Sequence, residues 1–329
     1  MSKHSSKYPV YQTNAEAAGR QKRMSNESSD TPKKSHINQQ PDFIGIGAAR
    51  SGTTWISEQL SQHPAVWIPS RKELHYWTRK EKYKSPSFLG QKNIAVRYFF
   101  SHYSFDLWLR FIRAIGKSFI DMNAKSLKWN LSYFLGRPNN EWYSGLFAGH
   151  PEKITGEFTP AYSLMDDEDV SDLVSAYPKI KAIMILRNPI ERAWSTILYH
   201  DKRRMISIAD MTREEIKEYL SKSQILERSD YLSIINRWSS RLAKDQLLIV
   251  YYDEISNNPA KLYAKIAKFL DLDPGRSMSS SFAKKVNASK PETLPGWLAE
   301  HLKAQYISAL KQMALQLGDY PAAWYEEYK

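Results

Sequence analysis

The segment that most constrains the fold is residues 43–55, with the sequence FIGIGAARSGTTW. Its apolar start predicts a strand, the glycines that follow predict a tight turn, and the apolar spacing after Gly52 predicts a helix. A glycine-rich turn between a strand and a helix favours anion binding, because the unpaired amides and the dipole of the helix N-terminus attract negative charge. The segment therefore predicts an α/β fold with an anion site at this turn.

Gly47 and Gly52 have the spacing of a phosphate-binding P-loop, but Thr53 stands where an ATP or GTP site has lysine. The turn takes its positive charge from Arg50 instead, two residues before the second glycine. This departure disfavours a site for a magnesium-bound nucleoside triphosphate. The candidate anion ligands of the turn are Arg50, Ser51, Gly52, Thr53 and Thr54.

A second anion-binding motif lies at residues 183–195, with the sequence IMILRNPIERAWS. The apolar run before Arg187 predicts a strand that is buried on both faces of a parallel sheet. Arg187 then lies at the carboxyl end of that strand, where α/β sheets bind ligands, and its guanidinium can pair with phosphate through two hydrogen bonds. Ser195 follows two turns into the next helix and can complete the site. Two anion sites point to a donor with two charged ends, 3′-phosphoadenosine 5′-phosphosulfate (PAPS).

Strands and helices are predicted to alternate along the chain. This alternation favours an α/β fold, specifically a P-loop-like three-layer sandwich with a central parallel sheet flanked by helices. We predict one domain over residues 41–329, after a disordered basic tail at residues 1–40. Within the domain, the aromatic and basic residues 78–150 are predicted to be an insertion on the acceptor side. The predicted strands are 43–46, 65–68, 153–158, 180–186 and 247–252, and the predicted helices are 53–63, 105–120, 168–177, 189–205, 259–270 and 298–317.

The composition of the 329-residue chain narrows its chemistry further. Cysteine is absent, which excludes disulfides, thiolate nucleophiles and cysteine-bound zinc, and the sequence shows no metal-ligand cluster, so no metal is expected. The net charge of +12 favours anionic partners such as nucleotides and acidic glycans, whereas a nucleic acid partner is not expected. Neither a secretory signal nor an apolar stretch near the ~18 residues of a transmembrane helix is found. We therefore expect a cytoplasmic protein.

Together, the two motifs resemble those of PAPS-dependent sulfotransferases, in particular the carbohydrate branch (Golgi-type and heparan-sulfate enzymes) and its bacterial relatives. The resemblance covers roughly residues 42–325 and is patchy through 78–150. It implies that the loop at residues 45–55 holds the 5′-phosphosulfate of PAPS and that Arg187 and Ser195 hold the 3′-phosphate. The second motif is a version of the L-R-D-P-x-E-R-A-x-S pattern of that family, with Asn188 in place of the usual aspartate.

The resemblance also implies a general base. The sequence KELHYW at residues 72–77 resembles a K-E-x-H-F-F-like segment whose glutamate takes the proton from the acceptor hydroxyl, and Glu73 is the matching residue. A positioned carboxylate can contribute about 10²–10⁴-fold to such a step. His75 is the alternative base, or a residue that orients Glu73 or binds substrate. Without the resemblance, the simpler interpretation of Glu73 is a solvated loop charge.

The sequence GEFTPAY at residues 156–162 resembles the E-K-T-P-A-Y strand end of the same family, but Phe158 replaces the lysine. This replacement leaves more of the transition-state charge to Arg50, which acts electrostatically because arginine keeps its proton. Glu157 is a candidate for acceptor binding, for positioning Arg50, or for a structural role in the strand. Lys290 is a weaker candidate for contact with the 3′-phosphate.

The sequence thus predicts an enzyme that transfers a sulfuryl group from PAPS to an acceptor hydroxyl. Carbohydrate is the first acceptor class to consider, and a lipid or secondary metabolite is the next. Two alternatives stay open: a P-loop kinase or other ATP-dependent phosphotransferase, and a non-catalytic nucleotide- or polyanion-binding protein. Thr53 at the lysine position argues against the first alternative, and the intact segment around Glu73 argues against the second.

Overall fold

The structure of the protein is a computed structural model, and it is described for five stretches of the chain, namely residues 40–83, 88–90, 93–100, 104–276 and 293–329. The predicted tail, apart from Gln40, and Lys290 lie outside the described residues. Within the described stretches the chain alternates between strands and helices, as the sequence predicts.

A parallel sheet of five strands forms the centre of the described part of the chain. The strands are β1 (Phe43–Gly47), β2 (Val66–Trp67), β3 (Ile154–Phe158), β4 (Lys181–Leu186) and β5 (Leu247–Tyr251). Their order is β2-β3-β1-β4-β5, and each neighbouring pair is parallel. In the register of the sheet, Ile44 of β1 stands opposite Glu157 on one side and Ala182 on the other. The predicted parallel sheet is confirmed.

Helices cover both faces of this sheet, which confirms the predicted α/β fold class. They are α1 (Thr53–Ser61), α2 (Ser104–Ile120), α3 (Ala124–Leu135), α4 (Asn140–Gly145), α5 (Asp167–Ala176), α6 (Pro189–Lys202), α7 (Arg213–Leu220), α8 (Ser223–Glu227), α9 (Tyr231–Ser239), α10 (Tyr252–Asn257), α11 (Pro259–Phe269), α12 (Gly296–Leu317) and α13 (Asp319–Tyr328). Short 3₁₀ segments lie at Phe88–Gly90, Pro160–Leu164, Ile208–Asp210 and Pro274–Arg276, and a π segment lies at Val96–Phe100.

Alternate residues of β4 enter two different hydrophobic cores. Ile183 and Ile185 pack with residues of α1 and α11 on one face of the sheet. Ala182, Met184 and Leu186 pack with residues of α5, α6 and α12 on the other face. Since side chains alternate between the two faces of a strand, a strand that is covered on both faces must be apolar throughout, which explains the uninterrupted apolar run in the sequence.

Several predicted element ends differ from the structure by one to three residues, and three of these differences have local reasons. Helix α1 ends before His63, whose amide donates to the carbonyl of Leu60 in a tighter turn. Helix α6 ends before Met205, because Arg204 adopts a left-handed conformation with φ 55°. Tyr252 begins α10 instead of continuing β5.

The carboxyl ends of the strands bring the predicted site segments to one edge of the sheet. The glycine-rich turn follows β1, Thr159 follows β3, Arg187 follows β4, and residues 68–75 follow β2. The chain places β3 on one side of β1 and β4 on the other, so β1 is the point at which the strand order reverses. Open α/β sheets bind ligands in the crevice at such a point.

Candidate active site

The turn after β1 presents the N-terminus of α1 to this crevice. Gly52, the residue before α1, has a left-handed conformation with φ 88°. The left-handed backbone therefore favours glycine, and a Cβ at this position would also displace Cδ1 of Ile255, which lies 2.4 Å from its place. Gly52 offers no capping side chain, and the first amides of the helix, at Thr53 and Thr54, are therefore suited to bind an anion.

The turn after β1 and the end of β4 hold two arginines next to each other. Nε of Arg50 donates to Oγ of Ser195 at 3.2 Å, and Nη1 of Arg187 donates to the backbone oxygen of Arg50 at 3.2 Å. The hydroxyl of Tyr231 donates to the backbone oxygen of Arg187 at 2.9 Å, and Ser51 is buried beside the same phenol. The structure therefore brings the residues predicted for the 5′ and 3′ ends of the donor into one site.

Both guanidinium groups lie over aromatic rings. Arg50 lies 4.5 Å from the ring centroid of Tyr199, and Arg187 lies 4.3 Å from that of Tyr252. Burial lowers the pKa of Arg50, and the charge of Arg187 lowers it further, although Tyr199 acts in the opposite direction. Two neighbouring cations, one of them desolvated, form a site that a bound anion would stabilise.

Asn188, which replaces an aspartate of the resembled pattern, keeps the local structure of the second motif. Its side-chain oxygen accepts from the amide of Ile190 at 3.0 Å, and Pro189 occupies the first position of α6. Asparagine and aspartate cap helices about equally well. The substitution therefore preserves the start of α6 and with it the placement of Arg187.

A cation that the sequence analysis did not single out lies at the turn. Nζ of Lys72 donates to Oγ1 of Thr54 at 2.8 Å and to Oγ1 of Thr53 at 3.1 Å. Burial lowers the pKa of Lys72, with the charge of Arg50 adding to the effect and that of Glu73 opposing it. Thr53 stands at the position where a P-loop has lysine. The segment after β2 instead brings the ammonium of Lys72 to the turn.

Glu73, the predicted base, lies beside this lysine with a side chain that is 43% exposed. Its Oε2 lies 3.3 Å from Nε2 of His75, and its Oε1 lies 3.9 Å from Nζ of Lys72. Burial alone would raise the pKa of Glu73, but the hydrogen bond from His75 and the charges of Lys72 and Arg228 outweigh burial and lower the pKa. The carboxylate is therefore ionised at neutral pH, which is the state that a general base needs.

Glu157 is fully buried and organises the segment that carries Glu73. Thr159 Oγ1, besides donating to this carboxylate, accepts from the amides of Leu74 and His75 at 3.0 and 3.4 Å. Burial raises the pKa of Glu157, although its hydrogen bonds act in the opposite direction. This placement supports a positioning role rather than contact with an acceptor. The donors to the carboxylate are Tyr143 at 2.7 Å, Tyr162 at 2.6 Å, Thr159 at 2.6 Å and the Leu74 amide at 3.2 Å.

Phe158, at the position of the lysine in the resembled strand end, belongs to the core. Its ring packs edge-on against Phe43 at a centroid distance of 6.0 Å and is fully buried. The ring fills the space over Gly45, where a Cβ would lie 1.8 Å from Cδ1 of Phe158. Strand β3 therefore supplies no cation at this position, whereas Lys72 supplies one beside Glu73.

Arg228, at the end of α8, is a further cation near the base that the sequence analysis missed. Burial lowers its pKa to about 10, with the charge of Arg192 adding to the effect and that of Glu73 opposing it. The pKa of His200 on α6 is lowered by burial and by the charges of Arg50 and Arg228. The short helices of residues 206–246 carry no motif, and so nothing in the sequence indicated that Arg228 would reach the site.

Among the described residues, no group of three histidine, aspartate or glutamate side chains lies close enough together to hold a metal ion. In the same stretches, no helix is both long enough and apolar enough to cross a membrane.

The fold and the site define a class of protein: a P-loop-like α/β domain with two neighbouring arginines at the turn after β1 and an ionised carboxylate beside Lys72. The family model described as "Sulfotransferase family" matches residues 41–274. The chain belongs to the sulfotransferase family.

Similar proteins include carbohydrate and heparan sulfate sulfotransferases. Human carbohydrate sulfotransferase 15 is 25% identical over 86% of this chain and 54% of its own length. Mouse heparan sulfate glucosamine 3-O-sulfotransferase 5 is 22% identical over 72% of this chain and 55% of its own length. The chain thus spans about half the length of these relatives. A sulfotransferase structure from Alicyclobacillus acidocaldarius has the same fold, with a TM-score of 0.55 and 18% identity over 87% of this chain and 98% of that one.

Proposed function

We propose that the protein transfers a sulfuryl group from PAPS to the hydroxyl of an acceptor, with Glu73 as general base. The observation that carries the proposal is the direct contact between the two predicted anion sites, in which Arg50 bonds to Ser195 and accepts from Arg187. A donor with a phosphosulfate at one end and a phosphate at the other fits such a pair of sites.

The cationic side chains support the donor by charge and by geometry. Arg50 and the first amides of α1 would hold the 5′-phosphosulfate, together with the hydroxyls of Thr53 and Thr54. Arg187 and Ser195 would hold the 3′-phosphate. Burial and the charge of Arg187 both lower the pKa of Arg50, which means that the site is short of negative charge until an anion binds.

In the proposed reaction, Glu73 takes the proton of the acceptor hydroxyl as that oxygen forms a bond to sulfur. The bond between sulfur and the bridging oxygen of the donor breaks, and the phosphate leaves with the electron pair. Lys72 would stabilise the charge that develops on this oxygen, because its ammonium lies at Thr53 and Thr54 and, unlike arginine, can also give up a proton. Lys72 would thus take the role that Phe158 cannot fill.

The acceptor class is proposed from the relatives. Proteins named carbohydrate sulfotransferase and heparan sulfate glucosamine 3-O-sulfotransferase are similar to most of this chain. A carbohydrate hydroxyl is therefore the first acceptor to test, and a lipid or secondary-metabolite hydroxyl is the second. A cytoplasmic location remains part of the proposal.

The proposal is tested first by calorimetric binding of 3′,5′-adenosine bisphosphate, 5′-AMP and Mg-ATP to the full chain. We expect the bisphosphate to bind at least roughly 30-fold more tightly than AMP, because charge-assisted hydrogen bonds to the 3′-phosphate are lost in AMP. Turnover with labelled PAPS and a panel of glycans then tests the reaction itself. Equal binding of the bisphosphate and AMP would overturn the assignment of the 3′ site.

One observation favours a second candidate, an ATP-dependent phosphotransferase. Lys72 returns an ammonium group to the turn, and a P-loop uses such a group to bind the β- and γ-phosphates. The calorimetric comparison separates the two candidates, since tighter binding of Mg-ATP than of the bisphosphate would select the phosphotransferase.

A further inference from the structure

Helix α2 is apolar on two opposite sides. One side packs onto the protein, where Leu107 and Ser118 are 1% and 3% exposed. Ser118 Oγ lies 3.0 Å from Ser126 Oγ of α3, and Nδ2 of Asn130 donates to Ser118 Oγ at 3.0 Å, so these contacts fix the orientation of the helix. The other side of α2 consequently faces solvent.

The solvent-facing side of α2 carries large apolar side chains at helical spacing. Phe105, Ile112 and Phe119 are 73%, 59% and 65% exposed, and Ile120 at the end of the helix is 83% exposed. We call these four residues the outer face of α2. Positions separated by seven residues lie on one side of a helix, so Phe105, Ile112 and Phe119 form a continuous stripe. An apolar stripe of this kind on a surface indicates a binding partner.

A basic strip runs along one edge of the outer face. Arg110, Arg113 and Lys117 are exposed, and their spacing of three and four residues places them on one side of the helix, beside the apolar stripe. Asp106 is the one acidic residue within α2. The neighbouring helix α3 adds Lys125 and Lys128, which are also exposed. The partner must therefore offer an apolar layer beside a layer of negative charge.

We propose that the outer face of α2 docks on the surface of an anionic lipid bilayer. Aromatic and aliphatic side chains on one side of a helix, with arginine and lysine beside them, are the combination that enters the boundary between acyl chains and anionic headgroups. A second copy of the chain fits this face less well. Two such faces would bring two basic strips together in a protein whose net charge is already +12.

Helix α2 is connected to the proposed active site through a short series of ring contacts on its inner side, opposite the outer face. Phe111 on α2 lies 5.5 Å from the ring of Phe134 on α3, between ring centroids. The guanidinium of Arg71 lies 5.1 Å from the same Phe134 ring and 4.9 Å from that of Tyr133. Arg71 directly precedes Lys72, so the helix that would dock on a bilayer packs, through its inner side, toward the part of the fold that supports the base segment.

Vesicle co-sedimentation of the full chain tests the proposal without any need for turnover, so it does not depend on the proposed function. The vesicles are pure phosphatidylcholine or phosphatidylcholine with about one third phosphatidylglycerol. We expect binding to the anionic vesicles that weakens as salt is raised. Ile112→Ser with Phe119→Ser should weaken this binding at least about tenfold, since it removes buried apolar area. Arg113→Gln with Lys117→Gln should weaken it by a similar factor.

The matched control is Leu315→Ser with Met205→Ser, which removes two side chains that are 73% and 64% exposed elsewhere on the protein. This control should bind vesicles as the wild type does, and thermal melting should show that all variants fold. Wild-type binding that the Ile112→Ser/Phe119→Ser variant retains would assign the binding to another region, such as the basic residues 1–40, and would overturn the proposal. Sedimentation equilibrium that shows a dimer lost in the same variant, without vesicle binding, would assign the face to a second copy.

Discussion

Nζ of Lys72 lies 2.8 Å from Oγ1 of Thr54, so a cation from the segment after β2 reaches the helix N-terminus that follows β1. The contact places an ammonium at a turn whose own sequence lacks lysine. It also places this ammonium 3.9 Å from the carboxylate of Glu73. Lys72 would therefore contribute both to donor binding and to the environment of the residue that takes the proton.

Lys72→Ala should lower kcat by about 10²–10³-fold, the usual effect of removing one group that stabilises developing charge. Binding of 3′,5′-adenosine bisphosphate should weaken much less, because this product lacks the sulfuryl group. Calorimetry and initial rates on the same preparation measure both quantities. Lys311→Ala, which removes an exposed lysine of α12, is the matched control. An unchanged kcat would remove Lys72 from the reaction.

Glu73→Gln should abolish turnover and leave bisphosphate binding intact, since the amide keeps the shape of the side chain but cannot take a proton. His75→Ala should retain part of the activity if His75 only orients Glu73 and helps to keep it ionised. Rates measured for both variants decide between the two residues. Full activity in Glu73→Gln, or complete loss only in His75→Ala, would move the base role to His75.

The pH dependence of kcat follows from the lowered pKa of Glu73. Protonation removes the base, so the rate should fall only when the pH drops through a value below the ordinary carboxylic pKa. The hydrogen bond from His75 helps to lower that pKa, and His75→Ala should therefore move the acid limb of the profile to higher pH. A limb that stays in place in His75→Ala would show that another group titrates.

Arg187→Ala should weaken bisphosphate binding by roughly 10- to 150-fold, the range for a lost charge-assisted hydrogen bond, and should leave AMP binding nearly unchanged. Arg187→Lys keeps the charge but loses the planar guanidinium. The affinity of this variant for the bisphosphate should therefore lie between that of the wild type and that of Arg187→Ala. Calorimetry with both nucleotides measures the discrimination. Equal losses for the bisphosphate and AMP would mean that Arg187 does not contact the 3′-phosphate.

Glu157→Gln should lower the free energy of unfolding by about 1–3 kcal/mol. The amide NH₂ group cannot accept hydrogen bonds, so the variant loses either the donors to Oε1, which are Tyr143 and Tyr162, or the donors to Oε2, which are Thr159 and the Leu74 amide. It should also lower kcat without changing bisphosphate affinity, since the segment with Glu73 loses its support. Urea unfolding, rates and calorimetry test the three effects. Glu152→Gln, at an exposed glutamate just before β3, should change none of them.

The sequence determined the parts of this protein that depend on local order along the chain. The apolar run before Arg187 predicted a strand covered on both faces, and β4 is buried on both faces. The strand, turn and helix around Gly52 were equally predictable, because each follows from the side-chain period and from a turn that only glycine fits. Arg187 was predicted at the end of a strand and Ser195 two turns into the next helix, and the structure places both in contact with Arg50.

Only the tertiary structure decided which loops meet at the carboxyl edge of the sheet. Lys72 lies 18 residues from Thr54, and Glu157 lies 83 residues from Leu74, so no local period relates either pair. Arg228 reaches the base from a region without a recognisable motif. These contacts depend on the strand order, and the strand order is set by the crossovers between parallel strands. The spacing of residues within one strand or helix carries no information about it.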